Sequence, residues 1–339
     1  MALVILTDLI CMSQTDKSRK IKVLVTTDVL KEEHLERISE VSERVEVERR
    51  LDRKEILESV KDTNVLVGWL FDKEIFHSAK ELVWVHAASA GVDSFLFPEF
   101  VDSPVILTNS SGIHRAPMAE VALAFMLCFA KNLPAFMKLK AEKSWSKRGS
   151  PLRDVDELTG KTLGLLGLGN VGMEISFRGK CFGMEVIAVD RRAVRRPSYV
   201  DEVMGLWGLD TLLGKSDYLV ITVPLTSSSK HMIGEKELRL MKSNAYIINV
   251  SRGAVIEEKA LVKALKEGWV AGAGLDVFEK EPLPTDSELW DLENVIITPH
   301  ISGGTPHYAE RLTEIFCENL SRFLEGKTLI NLVNKREGY

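Results

Sequence analysis

Three short segments carry side chains of the types that handle anions and protons. Asn249-Val-Ser-Arg252-Gly253 holds an arginine, and Gly274-Leu-Asp276-Val-Phe-Glu-Lys-Glu281-Pro-Leu-Pro284 holds the carboxylates Asp276 and Glu281. Thr298-Pro-His300-Ile-Ser-Gly-Gly304 holds a histidine. A guanidinium binds carboxylates through paired hydrogen bonds, and an imidazole exchanges protons near neutral pH. Singly, each has a plain reading: Arg252 as a helix cap, Glu281 as a surface loop residue, His300 as a hydrogen-bonded loop histidine. Each segment, however, adjoins a strand-like stretch, and in open parallel sheets ligands collect beyond the carboxyl ends of the strands.

A fourth segment has the pattern of a dinucleotide cradle. Thr162-Leu-Gly-Leu-Leu166 runs into Gly167-Leu-Gly169-Asn170-Val171-Gly172 and then into a helical stretch, which is GxGxxG after a strand and opening a helix. The first glycine permits the tight turn, the second lets a pyrophosphate approach the backbone, and the third lets helix and strand pack closely. The helix N-terminus adds N–H groups and partial positive charge. Asp190 ends the next strand, about where a carboxylate meets the adenosine ribose hydroxyls and repels a 2′-phosphate, so NAD is the preferred cofactor. Arg191 and Arg192, with Arg195 and Arg196 beyond, could hold a 2′-phosphate, stack on adenine or form a solvated loop, which leaves NADP open.

These segments need strands to end on. Short apolar runs rich in Val and Ile at residues 21–26, 65–67, 83–85, 105–107, 162–166, 185–189, 218–223, 245–250 and 295–298 alternate with stretches of helical period such as 31–42 and 257–268. Consecutive apolar positions suit strands covered on both faces, hence parallel sheets in α/β layers. The series breaks between residues 132 and 159; residues 118–133 read as a long apolar helix and the polar stretch after it as a connector into a second α/β unit. Residues 306–324 read as a closing helix before a short tail.

Composition narrows the rest. A chain of 339 residues suggests two domains, since single cores stop growing near ~250–300 residues. A net charge of −5 lacks the diffuse positive field of a nucleic-acid binder, and none is expected as partner. Cys11, Cys128, Cys181 and Cys317 are far apart and form no CxxC pair, which fits a reducing compartment and a cytoplasmic protein. His34, His77, His86 and His231 show no pairing or metal-ligand spacing; they read as structural or exposed, and no metal is expected. Residues 1–12 carry Asp8 and no leading basic segment, so export is not expected, nor is a membrane span; residues 1–20 read as a disordered extension.

Taken together and in this order, the fingerprint and the three segments resemble the D-isomer-specific 2-hydroxyacid dehydrogenase family. The resemblance runs from about Ile21 to the end and includes Ala88-Ser-Ala-Gly-Val-Asp93, Thr108-Asn-Ser-Ser-Gly-Ile-His114 and Met118-Ala-Glu120. It implies two doubly wound α/β domains: a flavodoxin-like substrate domain of residues 21–117 plus 303–339, and a Rossmann domain of 118–302 through which two subunits form a homodimer. It implies hydride transfer between a nicotinamide and C2 of a small 2-oxo or 2-hydroxy acid, as in glyoxylate and hydroxypyruvate reductases. Arg252 would hold the substrate and polarise its carbonyl, His300 would donate or accept the proton, and Glu281 would orient His300 and favour its protonated form. Backbone N–H groups at Ala90 and Gly91 look like a second carboxylate anchor, and Asp276 resembles the partner of the nicotinamide carboxamide. Pro224, Thr226 and Val250 complete the expected cofactor contacts.

Other residues carry weaker signals. His114 and Arg115 divide evenly between substrate contact and structure, His307 reads as support, and Trp69 and Trp145 as packing. The loop Gly68-Trp-Leu-Phe-Asp72 has no basic residue before Lys73, where phosphoglycerate-oxidising relatives carry them, so glyoxylate, hydroxypyruvate, pyruvate or a branched-chain 2-oxo acid is expected instead. Lys131 stands where many relatives carry arginine, a conservative departure. The competing reading is an NAD(H)-sensing scaffold or corepressor of the same fold, which loss of Arg252, Glu281 or His300 would have favoured. Oxidation of formate or phosphite is a third, without site residues to point to.

Overall fold

Consecutive Val, Ile and Leu residues form strands here because helices cover both faces of each sheet. The computed structural model describes residues 19–145, 155–192 and 195–338. The expectation for the N-terminal extension lies, up to residue 18, outside the described residues. The chain divides into two compact units, one running to Ile113 and resuming at Thr305, the other His114–Gly304.

The first unit is built on β1 (Ile21–Thr26), β2 (Val45–Arg49), β3 (Val65–Gly68), β4 (Trp84–Ala87) and β5 (Ile106–Asn109). All pair in parallel, in the order β2-β1-β3-β4-β5. Side chains alternate across the sheet. Leu24, Leu66, Val85 and Leu107 pack with Phe71, Phe95 and Phe100 on one face. Val23, Val25, Val65 and Trp84 pack on the other with Leu312, Phe316 and Leu320 of the helix Tyr308–Leu324. His86, in the middle of β4, is wholly buried; its Nδ1 lies 2.7 Å from Thr108 Oγ1 and its Nε2 3.2 Å from Ser110 Oγ. Burial pushes its pKa down to about 3, so it is a neutral core histidine.

The second unit carries β6 (Thr162–Leu166), β7 (Glu185–Val189), β8 (Glu202–Met204), β9 (Tyr218–Ile221), β10 (Tyr246–Asn249), β11 (Gly272–Leu275) and β12 (Val295–Ile297). These form one parallel sheet ordered β12-β11-β10-β9-β6-β7-β8. Its order reverses at β6, which places the Gly167 turn at the switch point where such sheets bind ligands. Ala119, Ala122, Phe125 and Met126 of the helix Arg115–Ala130 fill one face of the core.

Three strands escape a reading of apolar runs. β2 and β8 are polar edge strands with a single covered face. β11 reads Gly-Ala-Gly-Leu because little else fits: a Cβ on Gly274 would meet Phe125 at 2.7 Å, and one on Gly272 the Asn294 carbonyl at 2.5 Å. The helix expected over 118–133 instead spans Arg115–Ala130, and a second helix, Leu133–Ala141, occupies part of the expected connector. Asn132, at φ 48°, breaks the two apart at 70°. Among the described residues no single helix is long and apolar enough to cross a membrane.

Candidate active site

The glycine fingerprint folds as its spacing requires. Gly167 adopts φ 103°, a conformation that L side chains rarely reach, and turns β6 into the helix Asn170–Cys181, whose N-cap is Gly169. A Cβ on Gly172 would lie 2.2 Å from the Gly167 carbonyl oxygen, so the third glycine lets the helix sit on the turn. Above Gly169 the nearest atom to such a Cβ is an Arg192 guanidinium nitrogen at 3.7 Å. Thr222, just past β9, donates its hydroxyl to Gly167 O at 2.9 Å. Open space over Gly169 beside a twelve-residue helix N-terminus fits a pyrophosphate. Asn170 is exposed, and Val171 packs partly against the core.

Asp190, expected at the ribose, braces this cradle. Its Oδ2 accepts from Leu168 N–H and its Oδ1 from Arg192 N–H, both at 2.8 Å. Arg192 Nε lies 3.4 Å from the same Oδ1, so the carboxylate is partly neutralised. Pro224 and Thr226 form a turn closed by Ser229, whose Oγ donates to Pro224 O at 2.6 Å and accepts from Thr226 N–H at 2.8 Å. Val250 is almost wholly buried, its side chain packed in the core.

Sheet order brings the three polar segments together, since β10, β11 and β12 are neighbours and each segment follows one of their carboxyl ends. At the end of β10, buried Asn249 donates Nδ2–H to Arg252 O at 2.9 Å and accepts from Ser251 N–H at 3.0 Å, fixing the bend that carries Arg252. Arg252 is half-buried and donates to Ser251 O at 2.9 Å. Gly253 presses against Phe278: a Cβ there would fall 1.9 Å from the Phe278 carbonyl carbon. After β11, Glu281 accepts from Phe278 N–H at 3.0 Å through Oε1, while its Oε2 sits 2.6 Å from His300 Nδ1. This leaves His300 Nε2 as the ring nitrogen turned away from Glu281, on a side chain 47% exposed.

His300 adopts φ 53°, which costs a non-glycine residue roughly 1–2 kcal/mol and persists only where surroundings impose it. Asp276 imposes it. Its carbonyl accepts from His300 N–H at 2.8 Å, and its fully buried carboxylate takes the Thr298 hydroxyl, Ile301 N–H at 2.9 Å and Ser302 N–H at 2.8 Å. The residue expected at the nicotinamide carboxamide thus devotes most of its acceptor capacity to the histidine's turn. His114 Nδ1 lies 2.9 Å from Gly303 O, and Arg115 Nε 3.9 Å from Glu174.

In the first unit, Ala90 and Gly91 lie in the loop after β4. Ser110 N–H donates to Ser89 O at 3.1 Å, Asn109 Nδ2 to Ala90 O at 2.7 Å, and Ser89 Oγ to Gly91 O at 2.6 Å. In a trans peptide the N–H points opposite to the carbonyl, so these bonds turn the amides of Ala90 and Gly91 away from the groups that hold the loop. Trp69, read as packing, is half exposed and donates Nε1–H to Tyr308 Oη at 3.1 Å; Tyr308 in turn donates to Ala88 O. Lys73 pairs with Glu99 at 3.0 Å, and Arg53 with Asp72 at 2.8 Å.

Sequence reasoning passed over His231, which lies 2.8 Å from Glu279 through Nε2, and over the bracing roles of Asn249 and Thr298. The partners of His231 and Thr298 are distant in sequence, so no local pattern signals them, whereas those of Asn249 lie two and three residues ahead.

A phosphate cradle in one sheet, with strand-end groups fit to bind an anion and move a proton, defines an oxidoreductase dependent on NAD(P). The model for the D-isomer specific 2-hydroxyacid dehydrogenase NAD binding domain matches residues 123–302. A glyoxylate reductase from Thermococcus litoralis is 40% identical over 292 residues, 83% of this chain and 86% of its own. A D-3-phosphoglycerate dehydrogenase from Methanocaldococcus jannaschii is 37% identical over 320 residues, 93% of this chain and 59% of its own. The crystal structure of an NADPH-dependent glyoxylate/hydroxypyruvate reductase from Sinorhizobium meliloti, with NADP and sulfate, aligns at a TM-score of 0.81 and 27% identity over 94% of this chain and 100% of that one. The chain belongs to the D-isomer specific 2-hydroxyacid dehydrogenase family.

Proposed function

We propose that the protein reduces small, unphosphorylated 2-oxo acids, with glyoxylate and hydroxypyruvate the first candidates, and that Arg252, Glu281 and His300 carry the reaction. The observation that carries this reading is the 2.6 Å contact between His300 Nδ1 and Glu281 Oε2, beside the strand end that holds Arg252. The turn at Gly167–Gly172 and the helix N-terminus at Gly169 would hold a nicotinamide dinucleotide, which would supply the hydride for C2 of the acid. Arg252 binds the carboxylate and carbonyl oxygen of the acid, and its charge stabilises the oxygen as negative charge develops there. His300 donates the Nε2 proton to that oxygen, and Glu281 holds the ring with Nε2 outward. In oxidation of the hydroxy acid, His300 takes the proton back. The amides of Ala90 and Gly91, turned away from the bonds that hold their loop, are a candidate carboxylate anchor of the first unit.

Two observations support an unphosphorylated substrate. The loop after β3 presents Trp69 and Leu70, and the cations near it, Lys73 and Arg53, are already paired with Glu99, Asp72 and Glu74. Asp190 favours NAD(H), while its pairing with Arg192 softens the charge that would repel a 2′-phosphate, so NADP(H) is accepted at lower efficiency. The family resemblance also makes a homodimer the expected form, and the four scattered cysteines favour a reducing compartment such as the cytoplasm.

Absorbance at 340 nm tests the proposal directly, with purified protein, NADH and NADPH in parallel, and glyoxylate, hydroxypyruvate, pyruvate and 2-oxoisocaproate. Turnover of glyoxylate or hydroxypyruvate is the expected result. Cofactor binding without turnover of any acid overturns it in favour of a sensor.

A further inference from the structure

His231 lies outside the group of residues that do the proposed chemistry, yet it ties together two segments that carry them, those of Arg252 and Glu281. It follows the Pro224–Ser229 turn and adopts φ 52°, a left-handed conformation that a histidine keeps only when tethered. Its N–H donates to Ala254 O at 2.8 Å, two residues beyond Arg252. The bridge continues in register, with Ile233 N–H donating to Val255 O at 3.1 Å and Glu257 N–H to Ile233 O at 2.9 Å. Its ring reaches the opposite way, placing Nε2 2.8 Å from Glu279 Oε1, two residues before Glu281.

Glu279 is itself doubly fixed. Its Oε1 also accepts from Glu258 N–H at 3.0 Å, and its own N–H donates to Glu258 Oε2 at 3.1 Å. The His231 ring meets the Glu279 carboxylate, and Glu258, whose carboxyl burial pushes upward, bonds Glu279 in turn. The stretch between these tethers is the one where Gly253 and the Phe278 backbone touch. A side-chain pair at a protein surface is ordinarily worth little. This one closes a loop around the residues on either side of Arg252 and Glu281.

We propose that His231 is a positioning residue for the reaction. Through Glu279 it holds the 277–281 segment in the register at which Glu281 meets His300, while its main chain holds the stretch following Arg252. The inference rests on the catalytic reading of Arg252, Glu281 and His300. A slack 277–281 segment would misplace Glu281 and leave the cofactor cradle at Gly167 untouched, so the effect falls on turnover and on proton transfer.

His231→Ala, His231→Gln and Glu279→Ala, made in the full chain, test it through kcat, KM, the pH profile of kcat/KM, NADH affinity by fluorescence, and Tm. His231→Ala should lower kcat about tenfold and displace the ionisation seen in kcat/KM, with NADH affinity changed less than about twofold. Glutamine keeps a donor near the Nε2 position, so His231→Gln should recover most of the loss. Glu279→Ala also removes the acceptor of Glu258 N–H, so adding it to His231→Ala should lower Tm further but cost little more in kcat, because in turnover both remove the same link. The proposal is overturned if His231→Ala lowers Tm while kcat and the pH profile stay as they were, if glutamine rescues nothing, or if the losses in kcat add. His300→Ala is measured beside them: retained turnover there removes the catalytic reading and this inference together, whereas its loss with an unaffected His231→Ala removes the inference alone.

Discussion

Both units put their functional loops at the carboxyl ends of parallel strands, yet they hold them by different means. In the first, the Ala88–Gly91 loop hangs on neutral donors: the amide of Asn109, the hydroxyls of Ser89 and Tyr308, and the N–H of Ser110. The one histidine beneath it, His86, is buried and uncharged. In the second, carboxylates join the neutral groups of Asn249, Thr222 and Ser229 in the holding. Asp190 braces the glycine turn, Asp276 the His300 turn, Glu281 the imidazole and Glu279 the ring of His231. Under the proposed function, the first loop presents amides to an anion and is served by neutral bonds, which leave its charge unchanged. The second holds a group that gains and loses a proton, for which fixed charges of opposite sign are suited.

Removal of charge should therefore act on chemistry in the second unit and on binding or stability in the first. The largest effect is expected at Arg252: Arg252→Ala should lower kcat/KM by roughly 10³-fold, about 4 kcal/mol, through loss of charge-assisted binding and carbonyl polarisation. A drop confined to KM would make Arg252 a binding group only. Next comes acid stability of the first unit. His86 titrates at about 3 when folded and near 6.5 when unfolded, so its contribution is present above pH 6.5 and is lost as pH falls from there toward 3. Urea unfolding of the wild type should lose up to about 1.4 kcal/mol per pH unit over that range from this group alone. An unchanged slope in His86→Gln would contradict this account of the neutral core.

Smaller effects follow. Asn109→Ala frees the Ala90 carbonyl and should raise KM for the 2-oxo acid about tenfold with kcat kept within about threefold. An equal fall in kcat would erase the distinction drawn between the units. Arg192→Ala exposes the full charge of Asp190 and should reduce kcat/KM with NADPH about threefold relative to that with NADH. A shift toward NADPH would show that Arg192 is not what softens Asp190.

Much of the scaffold could be read from residues alone, because a strand buried on both faces advertises itself as a run of Val, Ile and Leu. Edge strands such as Val45–Arg49 have one covered face, and Gly272–Leu275 is shaped by Phe125 and Asn294 pressing on it, so neither advertises. Site residues followed the same division. Gly167, Gly169 and Gly172 announce themselves by spacing, since each answers a local need of the turn. Arg252, Glu281 and His300 stand out by lying after strands and by family resemblance. Asp276 drew notice for a cofactor contact, but its grip on Thr298, Ile301 and Ser302 depends on β11 and β12 lying side by side, which no local window encodes. His231 looked structural or exposed for the same reason, its partner being brought to it only by the fold.

The central claim is that His300 hands over a proton under the control of Glu281. The pH dependence of kcat/KM for glyoxylate reduction, in the wild type beside Glu281→Gln, tests it most directly. Reduction needs the imidazolium, so wild-type kcat/KM should be highest at low pH and fall as pH rises through one ionisation. Glu281→Gln should reduce turnover throughout, since the ring then lacks the carboxylate that holds Nε2 outward. A profile that keeps its height in Glu281→Gln would contradict the account.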